Sequence, residues 1–355
     1  MRLQVYCIEE ANVALIQFHK PTLRRKDMDA VLQTMVNEKI GPGERKNEFL
    51  KQFCSIVALK EGIVVRSYID ALVSSLKLCQ IKEGSSVGVS VLSPSIYRYI
   101  IESLGAKVLL GDIDANHGCL SLDEASRLVQ EGANVLLVHE PMCQIPYECD
   151  YRQLGVKVIE DISQSIASEY SQQKAGSFGD LVVCAFEEDS IISTGGGAAL
   201  AYNDSSFTAP LKALYTHVRQ YEELPDMNAA LGIVQLSTLS EQVAKRRELY
   251  TLYRQSLLKT PHKLFGIGNI DFEPNGYGFC VVLDSKVEDA VKFANKYQVS
   301  VEKTFSTCIG SSLADRYDLF PHSIAPMLRG LSFPAYPFLK QGDIELLMKV
   351  ISHLP

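Results

Sequence analysis

The sequence lacks three features that would place a chain in a membrane, on nucleic acid or outside the cell. Its longest hydrophobic runs, around residues 87–92 and 134–138, are far too short to span a bilayer. Its 35 basic and 42 acidic side chains give a net charge of −7, which argues against nucleic acid or an anionic membrane as the main partner. Residues 1–12 carry acids where a signal peptide needs an apolar core, so no secretory signal is predicted.

The cysteines also lack a functional pattern. Nine of them, an odd number, are scattered from Cys7 to Cys308 without tight metal-ligand spacing. Cys143 and Cys149 flank a proline-containing loop, where ordinary thiols are a simpler interpretation than a redox pair. We therefore predict free thiols in a reducing compartment, a cytoplasmic protein and no metal site.

The sequence does have ample material for a core. Hydrophobic residues make up 46% of the chain and charged residues 22%, which rules out an intrinsically disordered protein. A length of 355 residues suggests two domains, or one large domain with a smaller appendage.

Apolar runs and helical patterns alternate through the first two thirds of the chain. Seven strands are predicted, at residues 63–66, 87–91, 108–112, 135–139, 156–160, 181–186 and 198–202. Helices are predicted between them, at residues 69–78, 95–104 and 122–131. Near-continuous apolar strands that alternate with helices are typical of a sheet buried on both faces, so the predicted fold class is α/β.

The pattern changes towards the C-terminus. An apolar stripe predicts one long helix over residues 228–258. A strand at 278–283 and helices at 288–297 and 343–353 follow it. We predict a large α/β domain over residues 1–245, including the N-terminal segment, and a small α+β domain over 246–355, joined by the long helix.

An ordered set of motifs resembles one family. The motifs are IGPG at 40–43, EDISQS at 160–165, GSFGD at 176–180, AFEEDSIISTGGGAALAYND at 185–204, NAALGIVQL at 228–236 and LSFPAYPFL at 331–339. Together they resemble the DegT/DnrJ/EryC/StrS-type sugar aminotransferases over residues 15–354. The resemblance implies the aspartate-aminotransferase-like fold of type I, with a mostly parallel seven-stranded sheet in the large domain and a small C-terminal α+β domain.

The resemblance also implies a chemistry. Members of this family use pyridoxal phosphate (PLP), generally as homodimers with the active site at the subunit interface. They transfer an amino group to a keto group of a nucleotide-linked sugar, in pathways for surface polysaccharides and glycosylated metabolites.

Three positions match residues of the family's site. Asp161 stands where an aspartate pairs with the pyridine nitrogen, and Gln164 where a glutamine lies beside the ring. A polar pair that caps the next helix is the alternative for both. His139 aligns with a histidine near the substrate entrance, although a hydrogen-bonded structural histidine is the simpler interpretation.

Other positions depart from the family's pattern. The position of the lysine that holds PLP as a Schiff base is Ser190, whose hydroxyl cannot form an imine and is a poor base at neutral pH. At the phosphate-binding turn, this chain has Ser67-Tyr68-Ile69 where the family has Ser-Gly-Thr. Ala185 stands in place of a family serine, and Leu92 in place of the aromatic residue that stacks on the cofactor ring. Gly196 stands in place of a glutamate, and Tyr221-Glu222-Glu223 in place of an Asn-Tyr-Arg stretch that the partner chain supplies.

Two charged runs and a glycine run complete the candidates. Glu187-Glu188-Asp189 would repel a phosphate if they faced it, and would matter little if they faced solvent. Gly195–Gly197 lacks the context of a nucleotide-binding loop and is interpreted as a structural turn. Lys245-Arg246-Arg247 is most simply a solvated helix face or a dimer contact.

These departures favour a catalytically disabled homologue without covalently bound PLP. It would bind PLP or its amine form, PMP, non-covalently at most, and would form a homodimer or a heterodimer with an active paralogue, with a nucleotide sugar as a possible ligand. The alternative is a sugar aminotransferase or related enzyme that uses PLP or PMP without a Schiff-base lysine, since Asp161 and Gln164 are retained. A purely structural or regulatory dimer is a third interpretation.

Overall fold

The computed structural model describes residues 16–266, 271–313 and 316–355. The stretch at 1–12, for which no signal peptide is predicted, lies outside these residues, as does Cys7. None of the helices in the described ranges combines the length and the apolar character needed to cross a membrane.

Fourteen strands are present in the described residues. In chain order they are β1 Glu61–Val65, β2 Ser86–Ser90, β3 Lys107–Gly111, β4 Val135–His139, β5 Lys157–Asp161, β6 Glu169–Tyr170, β7 Gln173–Lys174, β8 Leu181–Ala185, β9 Ala198–Tyr202, β10 Lys263–Leu264, β11 Phe272–Glu273, β12 Phe279–Val282, β13 Glu302–Lys303 and β14 Gly330–Phe333.

Twelve α-helices accompany them in the same ranges. They are α1 Arg25–Val36, α2 Glu44–Ile56, α3 Tyr68–Leu78, α4 Ser95–Ser103, α5 Leu122–Gln130, α6 Thr208–Tyr215, α7 Arg219–Glu222, α8 Asp226–Ser237, α9 Leu239–Leu257, α10 Val287–Lys296, α11 Ile324–Arg329 and α12 Gln341–Ser352. Short 3-10 helices lie at Tyr151–Leu154, Ser205–Phe207, Ile309–Ser312 and Tyr317–Leu319.

The main sheet confirms the predicted fold class. Its seven strands run in the order β1-β9-β8-β5-β4-β2-β3. The strands from β3 to β8 in this order pair in parallel, while β9 pairs antiparallel with both β8 and β1. All seven strands predicted from the sequence are these strands, with ends shifted by at most two residues.

Both faces of this sheet are buried, as the continuous apolar strands predict. Val65 and Val183 belong to the hydrophobic cluster on one face, with residues of α3 and α4. Their neighbours Val64 and Val182 belong to the cluster on the other face, with residues of α2 and α8. Because successive strand residues point to opposite faces, an apolar residue is needed at every position.

The prediction of one helix over residues 228–258 is wrong. The structure has two helices, α8 and α9, separated at Thr238, whose backbone angles are φ −112° and ψ 5°. The Thr238 hydroxyl donates to the carbonyl oxygens of Val234 at 3.4 Å and Gln235 at 3.3 Å. Such side-chain bonds to the preceding turn compete with the helical backbone bonds, and the apolar stripe alone could not reveal this break.

The C-terminal part forms a second, antiparallel sheet in the order β10-β12-β14-β13. Buried residues of α9, α10 and α12 pack against it. The predicted strand at 278–283 and helices at 288–297 and 343–353 are β12, α10 and α12. The predicted domain boundary between residues 245 and 246 falls inside α9 and stays a prediction. A small three-stranded sheet, β11-β6-β7, completes the fold.

Candidate functional site

Asp161 lies at the carboxyl end of β5, near the middle of the main sheet, and is fully buried. Its Oδ1 accepts hydrogen bonds from the backbone N–H of Ser163 at 3.0 Å and from the Ser163 hydroxyl at 2.5 Å. Its Oδ2 accepts hydrogen bonds from the hydroxyls of Tyr68 and Tyr97. Both oxygens of this carboxylate are therefore engaged by the chain itself.

The two tyrosines reach Asp161 from different helices. Tyr68 is the first residue of α3, and Tyr97 lies in α4. Their hydroxyl oxygens are 3.4 Å apart. Burial, followed by the negative charge of Asp161, raises the pKa of both phenols well above the usual value. Both hydroxyls therefore stay protonated at neutral pH and act as donors to the carboxylate.

This arrangement decides how the family's cofactor would fit. A carboxylate keeps the PLP pyridine nitrogen protonated by accepting its N–H. Here the hydroxyls of Tyr68 and Tyr97 already donate to the carboxylate oxygen Oδ2. The residues around Asp161 therefore do not fit a PLP ring.

Gln164 is present beside the site, but its side chain is also engaged. Its Oε1 accepts the backbone N–H of Met142 at 2.8 Å. The predicted role of Gln164 beside a cofactor ring would therefore compete with this hydrogen bond to the Met142 backbone.

His139 ends β4 and is paired in register with Asp161 on the neighbouring parallel strand. Its Nδ1 lies 4.0 Å from Asp161 Oδ2 and makes no hydrogen bond to the described residues. Burial lowers the pKa of His139 to about 4, so the ring is neutral at pH 7. Its ring packs edge-on against Tyr97, with centroids 6.1 Å apart.

Ser190 is nearly buried in the loop after β8, and its backbone N–H donates to the Glu187 carbonyl at 3.1 Å. The adjacent acids are exposed. Asp189 points towards the C-terminal part of the chain, where its Oδ2 accepts the Tyr277 hydroxyl at 3.2 Å. The Glu188 carbonyl contacts His19 Nε2 at 2.8 Å.

The predicted phosphate-binding positions serve the helix and the core instead. Ser67 caps α3, since its Oγ accepts the backbone N–H of Asp70 at 3.1 Å. Ile69 is 42% exposed, and Leu92 is buried in a cluster that contains Phe265. The Ala185 N–H donates to the Ser163 hydroxyl at 2.8 Å, which in turn donates to Asp161.

The three glycines at 195–197 form the turn between antiparallel strands β8 and β9, as predicted. Their φ angles are 73°, 119° and 104°, values that favour glycine. The turn folds back onto Phe186, whose N–H donates to the Gly197 carbonyl at 2.8 Å.

The stretch aligned with the family's partner-chain residues is split between surface and interior. Tyr221 is 72% exposed. Glu223 is buried, where it accepts hydrogen bonds from Lys46 Nζ and, at 2.8 Å, from Arg219 Nε.

A cavity of about 290 Å³ lies beside this region, between the main sheet and the C-terminal part. Among its lining residues are Gln164, Asp189, Arg246, Tyr277, Glu302 and Lys303. Arg246 is 3% exposed, so a solvated face is the wrong interpretation for this residue, while a dimer contact of the basic run stays a prediction. Its neighbours in the basic run, Lys245 and Arg247, are exposed and half-buried.

The sequence did not predict three residues that contact Asp161 or line the cavity. Tyr97 and Tyr277 had no motif to mark them, and Arg246 was masked by its basic neighbours. The helical period was the one available signal, because Arg246 lies three residues from Val243 and from Leu249 on the buried stripe of α9. In the part of the chain that the structure describes, no group of three or more potential ligands could hold a metal ion.

Comparisons with known proteins place this geometry in context. The model of the DegT/DnrJ/EryC1/StrS aminotransferase family matches residues 21–352. The spore coat polysaccharide biosynthesis protein SpsC of Bacillus subtilis is 22% identical, over 95% of this chain and 96% of that protein.

Solved structures share the fold. The aminotransferase TlmJ from Streptoalloteichus hindustanus has a TM-score of 0.86 at 21% identity, covering 95% of this chain and 98% of TlmJ. The E. coli GDP-4-keto-6-deoxy-D-mannose-3-dehydratase, solved with bound hydrated PLP, has a TM-score of 0.83 at 15% identity, covering 95% and 99% of the two chains. The family model spans nearly the whole chain, and the chain therefore belongs to the DegT/DnrJ/EryC1/StrS aminotransferase family.

Proposed function

We propose that this chain is a catalytically disabled member of its family that does not hold PLP covalently. One observation carries the proposal: the carboxylate that would bind the pyridine nitrogen is held by the protein's own Tyr68 and Tyr97. Ser190 at the Schiff-base position supports it independently, because a serine cannot form an imine.

The strength of these hydrogen bonds sets the barrier to cofactor binding. A hydrogen bond to a charged group contributes about 1.5–3 kcal/mol. Freeing Asp161 Oδ2 from both tyrosines would then cost about 3–6 kcal/mol before any bond to a cofactor forms, which corresponds to about 10²–10⁴-fold in affinity.

Among the described residues that line the cavity, Lys303 is the lysine that could replace the missing one. Lys303 lines the cavity, but its ammonium is 2.9 Å from Glu288 Oε1 and pairs with that carboxylate. This ion pair holds the ammonium on Glu288 rather than leaving it free to react in the cavity.

The retained role would be binding. The chain would act in the cytoplasm, in a pathway for surface polysaccharides, as a homodimer or with an active paralogue, and a nucleotide sugar is the expected class of ligand. An exposed apolar stripe on α1, formed by Met28, Leu32 and Met35 at 61%, 59% and 52% exposure, offers a surface for the partner chain.

Spectroscopy with PLP and calorimetry with PMP test the proposal together. PMP needs no lysine, so its binding tests the pocket around Asp161 independently of the imine. We expect the wild-type protein to form no borohydride-reducible imine with PLP and to bind no PMP. Tyr68→Gly should gain PMP binding, and the double variant Tyr68→Gly, Ser190→Lys should gain the imine.

Glu188→Lys is the matched control, since it puts a lysine into the same loop at an exposed position. It should not gain the imine. A reducible imine in the wild-type protein, or turnover of a keto-sugar nucleotide with an amino donor, would favour the alternative of a working enzyme and would overturn the proposal.

A further inference from the structure

A second cavity, of about 570 Å³, opens beside residues 61–64 of β1, the strand at one edge of the main sheet. Residues of α2 and of the segment from α6 to Glu223 supply its other walls. The residues that donate hydrogen bonds to Asp161, which are Tyr68, Tyr97 and Ser163, do not line it. This cavity is therefore separate from the contacts that hold the Asp161 carboxylate.

Most of the buried residues that line this second cavity are apolar or aromatic. They are Ile63, Val64, Tyr202, Leu211 and Tyr215. The Tyr215 hydroxyl is engaged by the Ser74 hydroxyl at 2.9 Å. Apolar walls with a few polar groups are typical of small-molecule sites, whose volumes are about 300–1,000 Å³. These walls are suited to the apolar body of a small ligand.

A group of three charged side chains lies at the wall of the same cavity. Glu223 is 5% exposed and Lys46 is 4% exposed. Glu223 Oε2 accepts a hydrogen bond from Lys46 Nζ, and its Oε1 accepts one from Arg219 Nε at 2.8 Å. The other N–H groups of the Lys46 ammonium and the Arg219 guanidinium have no acceptor among the described residues. One carboxylate is thus shared by two cations.

The other charged residues of the lining do not remove this excess of positive charge. They are Glu61 and Lys212, which are exposed and of opposite sign. Glu61 Oε2 accepts the hydroxyl of Thr208. A buried charge is costly unless it is paired, and hydrogen bonds between an ammonium or a guanidinium and a carboxylate are among the strong ones. The group of Lys46, Arg219 and Glu223 is therefore suited to one further negative charge.

We propose that the second cavity binds a small apolar monocarboxylic acid. Its carboxylate would accept the unused N–H groups of Lys46 and Arg219, and its apolar body would lie against Ile63, Leu211 and Tyr215. One negative charge balances the group, so a monocarboxylate is better matched to it than a dianion such as a phosphate monoester. Such binding goes beyond the proposed function and does not depend on it.

Calorimetry with simple carboxylates tests the proposal. The probes are octanoate and 4-phenylbutyrate, with acetate as the control for the carboxylate alone and octylammonium as the control for an apolar chain with the opposite charge. At least one probe should bind with one molecule per chain and at least tenfold more tightly than either control. Binding of neither probe, or equal binding of octylammonium, would overturn the proposal.

Variants of α2 and α7 give a matched comparison. Lys46→Met and Arg219→Gln should each weaken binding of the tighter probe at least fivefold. Lys51→Met and Arg45→Gln change α2 residues that do not line the cavity, and they should leave binding within twofold of the wild type. Equal losses in the control pair would contradict the assignment. If Lys46→Met does not fold, Arg219→Gln still decides the outcome, because the Arg219 side chain is 66% exposed.

The two proposals fail separately. An imine with PLP in the wild-type protein would refute the proposed function and would leave carboxylate binding unaffected. Absence of carboxylate binding in a protein that forms no imine would refute the second cavity as a ligand site and would leave the proposed function standing.

Discussion

Removal of one oxygen atom, in the variant Tyr68→Phe, tests whether the Asp161 carboxylate is held by the tyrosines. The ring and its packing are retained, and only the hydrogen bond to Asp161 Oδ2 is lost. Hydrogen bonds to charged groups contribute about 1.5–3 kcal/mol, and Asp161 is fully buried, so water cannot replace the donor freely. We expect the free energy of unfolding to fall by about 1.5–3 kcal/mol.

Chemical denaturation followed by far-UV circular dichroism measures this change, since the chain contains no tryptophan to serve as a fluorescent probe. Tyr221→Phe is the control, because Tyr221 is 72% exposed and a surface change of this kind usually stays within about 0.5 kcal/mol.

The second tyrosine allows a double-mutant cycle. Tyr97→Phe removes the other donor to the same oxygen. Because each hydroxyl still partly satisfies the carboxylate when the other is absent, the double variant should lose more stability than the two single variants summed, by about 0.5–3 kcal/mol. A Tyr68→Phe protein as stable as the wild type, with no coupling to Tyr97, would refute the reasoning and remove the main support for the proposed function.

Three further changes have expected outcomes. Gly197→Ala should destabilise the protein by about 1–3 kcal/mol more than Gly195→Ala, as measured by thermal or chemical unfolding. Both glycines have positive φ, but of the two only a Cβ at position 197 would clash, at 2.5 Å from Leu224 Cδ1. Burial lowers the pKa of His139 from its ordinary value of 6.5 to about 4 in the folded chain. Between these two pH values the unfolded chain binds more protons than the folded chain, so stability falls as pH falls through this range. Measured at pH 7 and pH 5, this loss should be about 2 kcal/mol and should be absent from His139→Gln. Burial and the charge of Glu160 raise the pKa of Glu140. The folded chain therefore keeps the Glu140 carboxyl protonated at pH values where the unfolded chain has lost that proton, and stability falls as pH rises. The free energy of unfolding of Glu140→Gln, relative to that of the wild type, should therefore rise between pH 5 and pH 8.

Periodicity was sufficient to predict the main sheet. Each strand is buried on both faces, so an unbroken apolar run such as Val135–His139 has few other interpretations. The helix over 228–258 was predicted wrongly because its break depends on the hydrogen bonds of one side chain, Thr238, which the apolar stripe does not report.

The sequence indicates which residues belong to the candidate site but not which of their side chains contact each other. Alignment with the family identified Asp161, Tyr68 and Ser190, and the absence of a lysine at 190 follows from the sequence alone. It could not show that Tyr68 donates to Asp161, because 93 residues separate them and the contact exists only when α3 packs beside the end of β5. Tyr97, in another helix, had no motif to mark it.

The sequence by itself determined the family, the α/β fold and the serine at position 190, since these depend on residue types in a fixed order. The tertiary structure decided which groups surround Asp161. It placed two tyrosine hydroxyls on a buried carboxylate and left the Arg246 Nε, at a cavity wall, without a hydrogen-bond partner among the described residues. Both results depend on distances between residues far apart in the chain, which residue order does not specify.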